Sequence, residues 1–235
     1  MKIDISEIAA DFPEFTAGVV IATGLQIGEG RPPALAAEIS RREADCRALW
    51  AGTELSRIPG IAAWRRTYRQ FGIKKTSYRS SVERLVKNVL ASRELPAING
   101  FVDAYNAVSL AHVLPLGADD LDQVVGDIAF RYARSGDSFL DMAGGEGPSE
   151  DPPKAGEVVY ADSEKVLCRR WNWRQDARSL VSPETRRAVV TVQANGCGDL
   201  AAAIADLQAL LIAHCAARVA VTRVSAAAPV AALAA

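Results

Sequence analysis

Between Ile98 and Asp122 the chain concentrates hydrogen-bonding side chains in one short stretch. Asp103, Tyr105, Asn106 and Ser109 stand on an apolar frame of Ile98, Val102, Val108 and Leu110. That spacing predicts a helix, or a helix running into a loop, whose polar side faces a pocket. Leu114-Pro115-Leu116-Gly117-Ala118 follows, and then Asp119, Asp120 and Asp122. An amide, a phenol, a hydroxyl and several carboxylates without metal-ligand spacing suit recognition of a small polar group better than covalent chemistry.

A second cluster reads Cys168-Arg169-Arg170-Trp171-Asn172-Trp173-Arg174-Gln175. Arginine offers planar paired donors for phosphate or carboxylate, and tryptophan offers a face on which a base or a guanidinium stacks. Such interleaving suits a grip on an unpaired nucleotide end. The alternative is that Trp171 and Trp173, alternating along an extended segment, both plug the core. Asn172 needs hydrogen-bond partners if it is buried. Of the two histidines, His214 falls on the apolar stripe of a late helix and reads as a core or helix-end residue. His112 follows the first cluster and could line a pocket, with no partner visible in sequence. No G-x-S-x-G elbow, no H-E-x-x-H and no Cys-His family signature is present. Cys46, Cys168, Cys197 and Cys215 form no C-x-x-C pair, so reduced thiols in a cytosolic protein are expected, with no zinc site and no disulfide framework.

A net charge of −1 excludes a protein that coats nucleic acid by bulk charge, yet the charge is blocked along the chain. Residues 65–93 hold nine Lys or Arg, among them Arg79, against the single acid Glu83. Residues 137–164 reverse this with eight acids against Lys154, and residues 165–187 are basic again with seven cations and two acids. The two basic tracts flank the polar motif and could hold a phosphate backbone on either side of it; the plainer alternative is solvated helix faces. The first residues lack an apolar signal core and no apolar run reaches about 18 residues, so a chain neither secreted nor membrane-spanning is expected. At 49% hydrophobic content a substantial core is expected.

The elements that must position these residues follow from periodicity. A strand is expected over residues 16–27, then a helix from Pro32-Pro33 to Ala51 and another over 59–71. After Ser80-Ser81 the stripe Val82, Leu85, Val86, Val89, Leu90 predicts a helix whose apolar side is core, leaving Glu83, Arg84 and Lys87 on a side free to meet a partner. Short strands are expected at 127–132, 138–142, 157–160, 166–169 and 188–193, with residues 143–153 a loop that matches no phosphate-binding glycine motif. A last helix carries Leu200, Ile204, Leu207, Leu211 and His214, and the alanine-rich end beyond Arg223 is expected to fray. Helices, then strands, then a helix give an α+β fold. The expected organisation is an N-terminal strand-helix extension (1–57) packed on a main domain (58–217), with a C-terminal tail (218–235).

Taken together, Trp64-Arg-Arg-Thr-Tyr68, Phe71-Gly72, Tyr78-Arg79-Ser80-Ser81, Leu95-Pro96-Ala-Ile-Asn99, Val102-Asp103-Ala-Tyr-Asn106, Asp119 to Asp122, Gly156-Glu-Val-Val-Tyr-Ala-Asp162 and Arg170-Trp-Asn-Trp-Arg174 resemble the B3/B4 domain of the phenylalanyl-tRNA synthetase beta subunit, and more closely its free-standing relatives. The resemblance spans about residues 58–195. It implies a mixed or antiparallel β core flanked by helices. It also implies an aminoacyl-tRNA deacylase acting in trans on the acceptor 3′ end of mischarged tRNA, with no metal, no cofactor, no DNA and no membrane partner. In the synthetase the domain hydrolyses tyrosine wrongly attached to phenylalanine tRNA, and free-standing members include a deacylase for canavanyl-tRNA(Arg). Such a second site makes physical sense, because one methylene replaced by oxygen gives a synthetase little energy for discrimination.

On this resemblance Asn106 and Asn172 hold the ester or water. Tyr105, Ser109, Trp171 and Trp173 shape the substrate pocket, Asp103 or Asp120 reads a cationic amino acid, and Arg79, Arg131, Arg170 and Arg174 contact the RNA end. Asp122 either caps the following segment or touches substrate. The chain departs from the synthetase pattern at Gly117, where a histidine is expected, and over residues 185–193, which carry no acid. Both departures point to a changed substrate. The same pocket could instead bind a charged 3′ end without hydrolysis, or a free amino acid.

Overall fold

A computed structural model describes residues 1–74, 77–142 and 147–234. Its elements follow in the order β1 (Lys2–Asp4), α1 (Ser6–Ala9), β2 (Phe15–Thr23), α2 (Pro33–Trp50), α3 (Pro59–Gln70), α4 (Ser81–Leu90), α5 (Gly100–His112), β3 (Leu116–Asp120), β4 (Ile128–Tyr132), β5 (Leu140–Asp141), β6 (Ser149–Glu150), β7 (Val158–Ala161), β8 (Val166–Arg169), β9 (Arg174–Gln175), β10 (Arg187–Asn195), α6 (Leu200–Cys215), β11 (Arg218–Ser225) and β12 (Val230–Ala232). The fold is α+β. Lys75 of the first basic tract and residues 143–146 of the expected glycine-rich loop lie outside the described residues.

Two sheets dominate, ordered β11-β2-β10-β3 and β12-β1-β4-β7-β8-β9. Their pairings are antiparallel except β1 with β4. Side chains alternate across a strand, so β2 and β10 each supply two faces. Val20, Ala22, Val190 and Val192 pack under α2, α4, α5 and α6. Val19, Ile21 and Val189 turn the other way, against Ile128, Phe130, Val158 and Leu167 of the larger sheet. The molecule is therefore three layers, helices on sheet on sheet, and both faces of the four-stranded sheet are core. This explains why β2 and β10 read as continuous apolar runs rather than alternating ones.

Helix ends are set by local chemistry. Proline opens α2 and α3, where its missing N–H costs nothing. Asn99 caps α5 by accepting from the Phe101 and Val102 amides, and Asp199 caps α6 through the Ala202 amide. A Cβ on Gly60 would stand 2.4 Å from the Val113 carbonyl oxygen. Only glycine lets α3 approach the end of α5 so closely. Among the described residues no helix is long and apolar enough to cross a membrane.

Two expectations are corrected here. The alanine-rich end does not fray: β11 pairs along β2, and β12 returns to pair with β1. Backbone hydrogen bonds, not large side chains, hold that segment, which is why composition did not announce it. Glu83 is not on a free face of α4. It is buried and takes hydrogen bonds from Arg65 (2.7 Å) and Arg79, so only Arg84 and Lys87 of that trio stay exposed.

Candidate functional site

β3 is the edge of its sheet, and a cavity of about 150 Å³ opens beside it. Antiparallel pairing sets Gly117 opposite Thr191 and Asp119 opposite Val189. Gly117, Asp119, Thr191 and Gln193 consequently share the face turned toward the larger sheet. Tyr105 and Asn106 come from α5, Tyr160 from β7, Cys168 from β8, Ser81 from the start of α4, and Asn172, Trp173, Arg174 and Gln175 from the chain after β8.

The turn after β8 decides which of those side chains enter the cavity. Arg170 and Trp171 both take left-handed backbone, with φ of 47° and 67°, a conformation that non-glycine residues adopt rarely and at a cost of order 1–3 kcal/mol each. What holds them there is Trp171. Its fully buried ring sits edge-on to Phe12, Phe15 and Trp64, at centroid distances of 4.7, 4.8 and 5.5 Å. With Trp171 anchored, Asn172 and Trp173 are delivered to the cavity. The Asn172 amide is fixed from both ends: Tyr68 Oη donates to its Oδ1 (2.9 Å), and its Nδ2 donates to Gln193 Oε1 (3.0 Å). Gln193 in turn donates to Thr191 Oγ1 at 3.0 Å. The guanidinium of Arg170 lies over Tyr78 (3.7 Å) and Trp173 (4.2 Å), and Arg174 lies over Trp173 at 4.4 Å.

Asp119 is the cavity's carboxylate. Gln175 Nε2 (2.8 Å) and Ser179 Oγ (2.7 Å) both donate to its Oδ1, and the same Gln175 amide reaches the Ala118 carbonyl. Burial pushes its carboxyl up to about 7, against those two hydrogen bonds, which pull it down. Burial, with the Asp119 charge second, also raises the Cys168 thiol far above its ordinary value. Cys168 therefore stays protonated and is no nucleophile at neutral pH. Three polar atoms of lining residues have no hydrogen-bond partner among the described residues: Ser81 Oγ, Tyr160 Oη and Trp173 Nε1. The Asn106 amide, half-buried, has none either. Buried polar groups are nearly always paired, so this many open ones around one cavity mark a place for a polar ligand.

The expected site residues divide sharply. Tyr105, Asn106, Asn172, Trp173 and Arg174 come together at the cavity. The others do not line it. Asp103 is buried and tied to Arg31 Nε (2.9 Å) and to the Ile98 amide, so it is already neutralised. Ser109 donates to the Leu114 carbonyl (2.6 Å), tying down the turn that leaves α5. Asp120 caps the short turn over Leu121–Gln123 and accepts from Thr185 Oγ1 (2.6 Å). Asp122 pairs with Arg187 at the surface. Trp171 is core. Arg131 is buried in a two-bond pair with Asp137 (2.7 and 2.8 Å). Arg170 is buried, and Arg79 is paired with Glu83. Asp119, Tyr160 and Ser81 also line the cavity without standing out in the sequence; one step of strand alternation separates Asp119 from Asp120.

His112 lines a different cavity. Its Nε2 lies 2.9 Å from Asp206 Oδ2, and Arg42 donates to both Asp206 oxygens (2.6 and 2.7 Å). Burial alone would raise the Asp206 carboxyl, but the hydrogen bonds from His112 and Arg42 outweigh it and hold it well below the usual carboxylate range.

A family model described as the B3/4 domain matches residues 63–196. Among solved structures, an N-terminal fragment of the phenylalanyl-tRNA synthetase beta-subunit from Pyrococcus horikoshii is similar at 12% identity, with 92% of this chain and 49% of that chain covered and a TM-score of 0.48. This chain thus spans about half the length of that fragment. No curated protein matches by sequence. The family match takes in more than half of the chain and contains every residue that lines the cavity, and on that ground the chain belongs to the B3/4 domain family.

Proposed function

We propose that this protein is a trans-acting aminoacyl-tRNA deacylase of the cytoplasm that hydrolyses the ester of mischarged tRNA, with canavanyl-tRNA(Arg) the leading substrate. The observation that carries the reading is the cavity beside β3, where Asn106 with its open amide, a doubly anchored Asn172 and three unpartnered polar atoms converge, while the Cys168 thiol is held protonated by burial. An aminoacyl ester is already activated, so a site that orients the ester and a water molecule supplies much of what hydrolysis needs, with the neighbouring ribose hydroxyl assisting. Asn106 contacts the ester or water, and Asn172 is the positioning residue behind it. RNA as the carrier is supported by exposed cations beside this site: Arg69, Lys74, Arg84 and Lys87 have no ion-pair partner among the described residues, and they border grooves that also contain Tyr78 or Arg79.

A second reading, a module that binds the charged 3′ end without cleaving it, draws on one observation: no histidine lines the cavity. One experiment separates the two. The protein is incubated with a panel of correctly and wrongly charged tRNAs, and loss of the aminoacyl ester is followed. Accelerated loss from canavanyl-tRNA(Arg), with correctly charged tRNAs spared, is expected. Salt-sensitive binding with no acceleration on any member of the panel would replace the deacylase reading with the module.

A further inference from the structure

The start of α4 faces two pockets at once. Ser81 lines the cavity beside β3, and Ser80, the residue before it, lines a second pocket of about 120 Å³ between α3 and the start of α4. A serine ahead of a helix ordinarily accepts from the second or third amide of that helix. Ser80 does not: it makes no side-chain cap bond, and its Oγ, in a residue only 2% exposed, has no partner among the described residues. The first-turn amides of Val82 and Glu83 are therefore left without a cap, at the positive end of the helix dipole. A buried hydroxyl and uncapped amides in one place mark a seat for an acceptor from outside the protein.

The walls carry the matching charge. Glu83 is buried and accepts from Arg65 Nε and Nη2 (3.1 and 2.7 Å) and from Arg79 Nη1, which draws both guanidiniums to the pocket while Arg65 Nη1 and Arg79 Nη2 donate to nothing among the described residues. Arg69 and Lys74 on the same walls are exposed and have no ion-pair partner among the described residues. Four cations thus face one carboxylate on the lining. The buried guanidinium of Arg170 adds to them from behind Tyr78, 3.7 Å from its ring centroid, with Nε and Nη1 unpartnered among the described residues. An anion with several acceptor oxygens fits this set. At about 120 Å³ the pocket is well below the roughly 300 Å³ at which sites for whole small molecules begin, so a single oxyanion enters and a nucleoside does not.

Two connections tie this pocket to the cavity beside β3. Ser80 and Ser81 are consecutive, and Tyr68 lines the pocket while its Oη donates to Asn172 Oδ1 in the cavity at 2.9 Å. A ligand with its ester in the cavity therefore has its next polar group beside the pocket, and in an aminoacylated RNA that group is the phosphodiester on the 5′ side of the terminal nucleotide. We infer that the pocket between α3 and α4 is a phosphate subsite, in which Ser80 Oγ, the first-turn amides of α4, Arg69 and Lys74 hold the last phosphodiester of the RNA. The ester's place in the cavity rests on the proposed function; the anion site itself does not. Arg79 also borders the groove of Arg84 and Lys87, so the strand runs from the cavity through the pocket and on along α4. Scattered surface cations attract every phosphate alike, whereas a built pocket distinguishes one linkage from its neighbours.

The test is calorimetric titration of the full chain with the RNA trinucleotide CCA, unmodified or with a neutral methylphosphonate at either its last or its first internucleotide linkage. Substitution at the last linkage is expected to weaken binding at least about tenfold, or about 1.4 kcal/mol, in keeping with the loss of a charge-assisted hydrogen bond. It should also flatten the slope of log K against log salt by about 0.7. The first linkage should matter by less than about threefold, as for an exposed ion pair. In Ser80→Ala, and in the double variant Arg69→Gln, Lys74→Gln, the penalty at the last linkage should shrink toward that at the first. Equal penalties at the two linkages in the wild type, a last-linkage penalty that survives both variants, or no binding of unmodified CCA would each overturn the inference. Inorganic phosphate binding as tightly as the trinucleotide would do so too, and would make the pocket a site for a free anion. A last-linkage penalty without hydrolysis of any charged tRNA would sink the deacylase and leave the subsite standing; hydrolysis with equal penalties would do the reverse.

Discussion

Helix α5 carries Asn106 into one cavity and His112 into another, and the two surroundings are opposites. Around His112 both oxygens of the central carboxylate are engaged: Asp206 holds the imidazole and both arms of Arg42, and Arg42 Nε goes on to Glu38 at 2.7 Å. Around Asn106 valences are open among the described residues, at Ser81, Tyr160 and Trp173. The histidine–carboxylate pair looks more like catalytic machinery, yet its bonds close on the protein itself and clamp α2, α5 and α6 together. A site that waits for a ligand shows itself by what is left unsatisfied more than by which residue types it contains.

The largest expected effect breaks the closed cluster. Asp206→Ala leaves Arg42, itself buried, with Glu38 as its remaining carboxylate partner, and should cost about 3 kcal/mol in urea unfolding. The deacylation rate per folded molecule should stay within about twofold of the wild type. A large rate loss with little change in stability would move the chemistry to His112. Asn106→Ala should behave the other way round: a rate about 10²-fold lower, the scale of removing one positioned donor, with tRNA affinity and unfolding midpoint unchanged. An unaltered rate would mean that the open cavity is not where the ester is cleaved.

The two carboxylates also sharpen the contrast through pH. Asp119 has a folded pKa raised to about 7 by burial, so between roughly pH 4 and pH 7 the folded chain binds more protons than the unfolded chain. This contribution makes stability fall as pH rises through that window. Asp206 has its folded pKa depressed, so its contribution is fully present above the unfolded value near pH 4 and is lost as pH falls further. Asp119→Asn should consequently raise stability at pH 8 by about 2 kcal/mol and leave pH 4 almost unchanged. A variant no more stable than wild type at pH 8 would show that the buried carboxylate is not strained in the empty pocket.

Much of this was readable in the sequence, and the gaps have physical causes. The apolar stripes of α4 and α6 and the proline start of α2 show themselves because periodicity and helix starts are local. β3 was hidden, since Leu116-Gly117-Ala118-Asp119-Asp120 is poor in the β-branched and aromatic residues that mark strands, and its hydrogen bonds go to the distant β10. Without that strand, alternation could not separate Asp119 from Asp120. The tryptophans were half legible. Both could plug the core if the segment were extended, but the left-handed Arg170 and Trp171 place Trp171 in the core and Trp173 at the cavity, and nothing local announces such a turn without glycine. Gly117 stands where the resemblance expects a histidine, and a Cβ there meets nothing within 4 Å. Part of the pocket is thus the room that a larger side chain would take.

The smallest expected effect is the most diagnostic of an open valence. Tyr160 is buried and its ring stacks on Phe130 at 4.8 Å, while its hydroxyl has no partner among the described residues. Removing a buried hydroxyl that is bonded within the protein costs about 1 kcal/mol or more. Removing one that waits for a ligand costs the empty protein nothing and spares it a desolvated dipole. Tyr160→Phe should therefore leave the urea unfolding free energy of the free protein unchanged or raise it by up to about 0.5 kcal/mol. Set beside Asp206→Ala, which lowers stability and spares the site, this pair of variants reads out which polar groups hold the fold and which are held ready by it. A Tyr160→Phe protein destabilised by about 1 kcal/mol or more would show that the hydroxyl is already satisfied, and the cavity would lose one of its marks as a binding site.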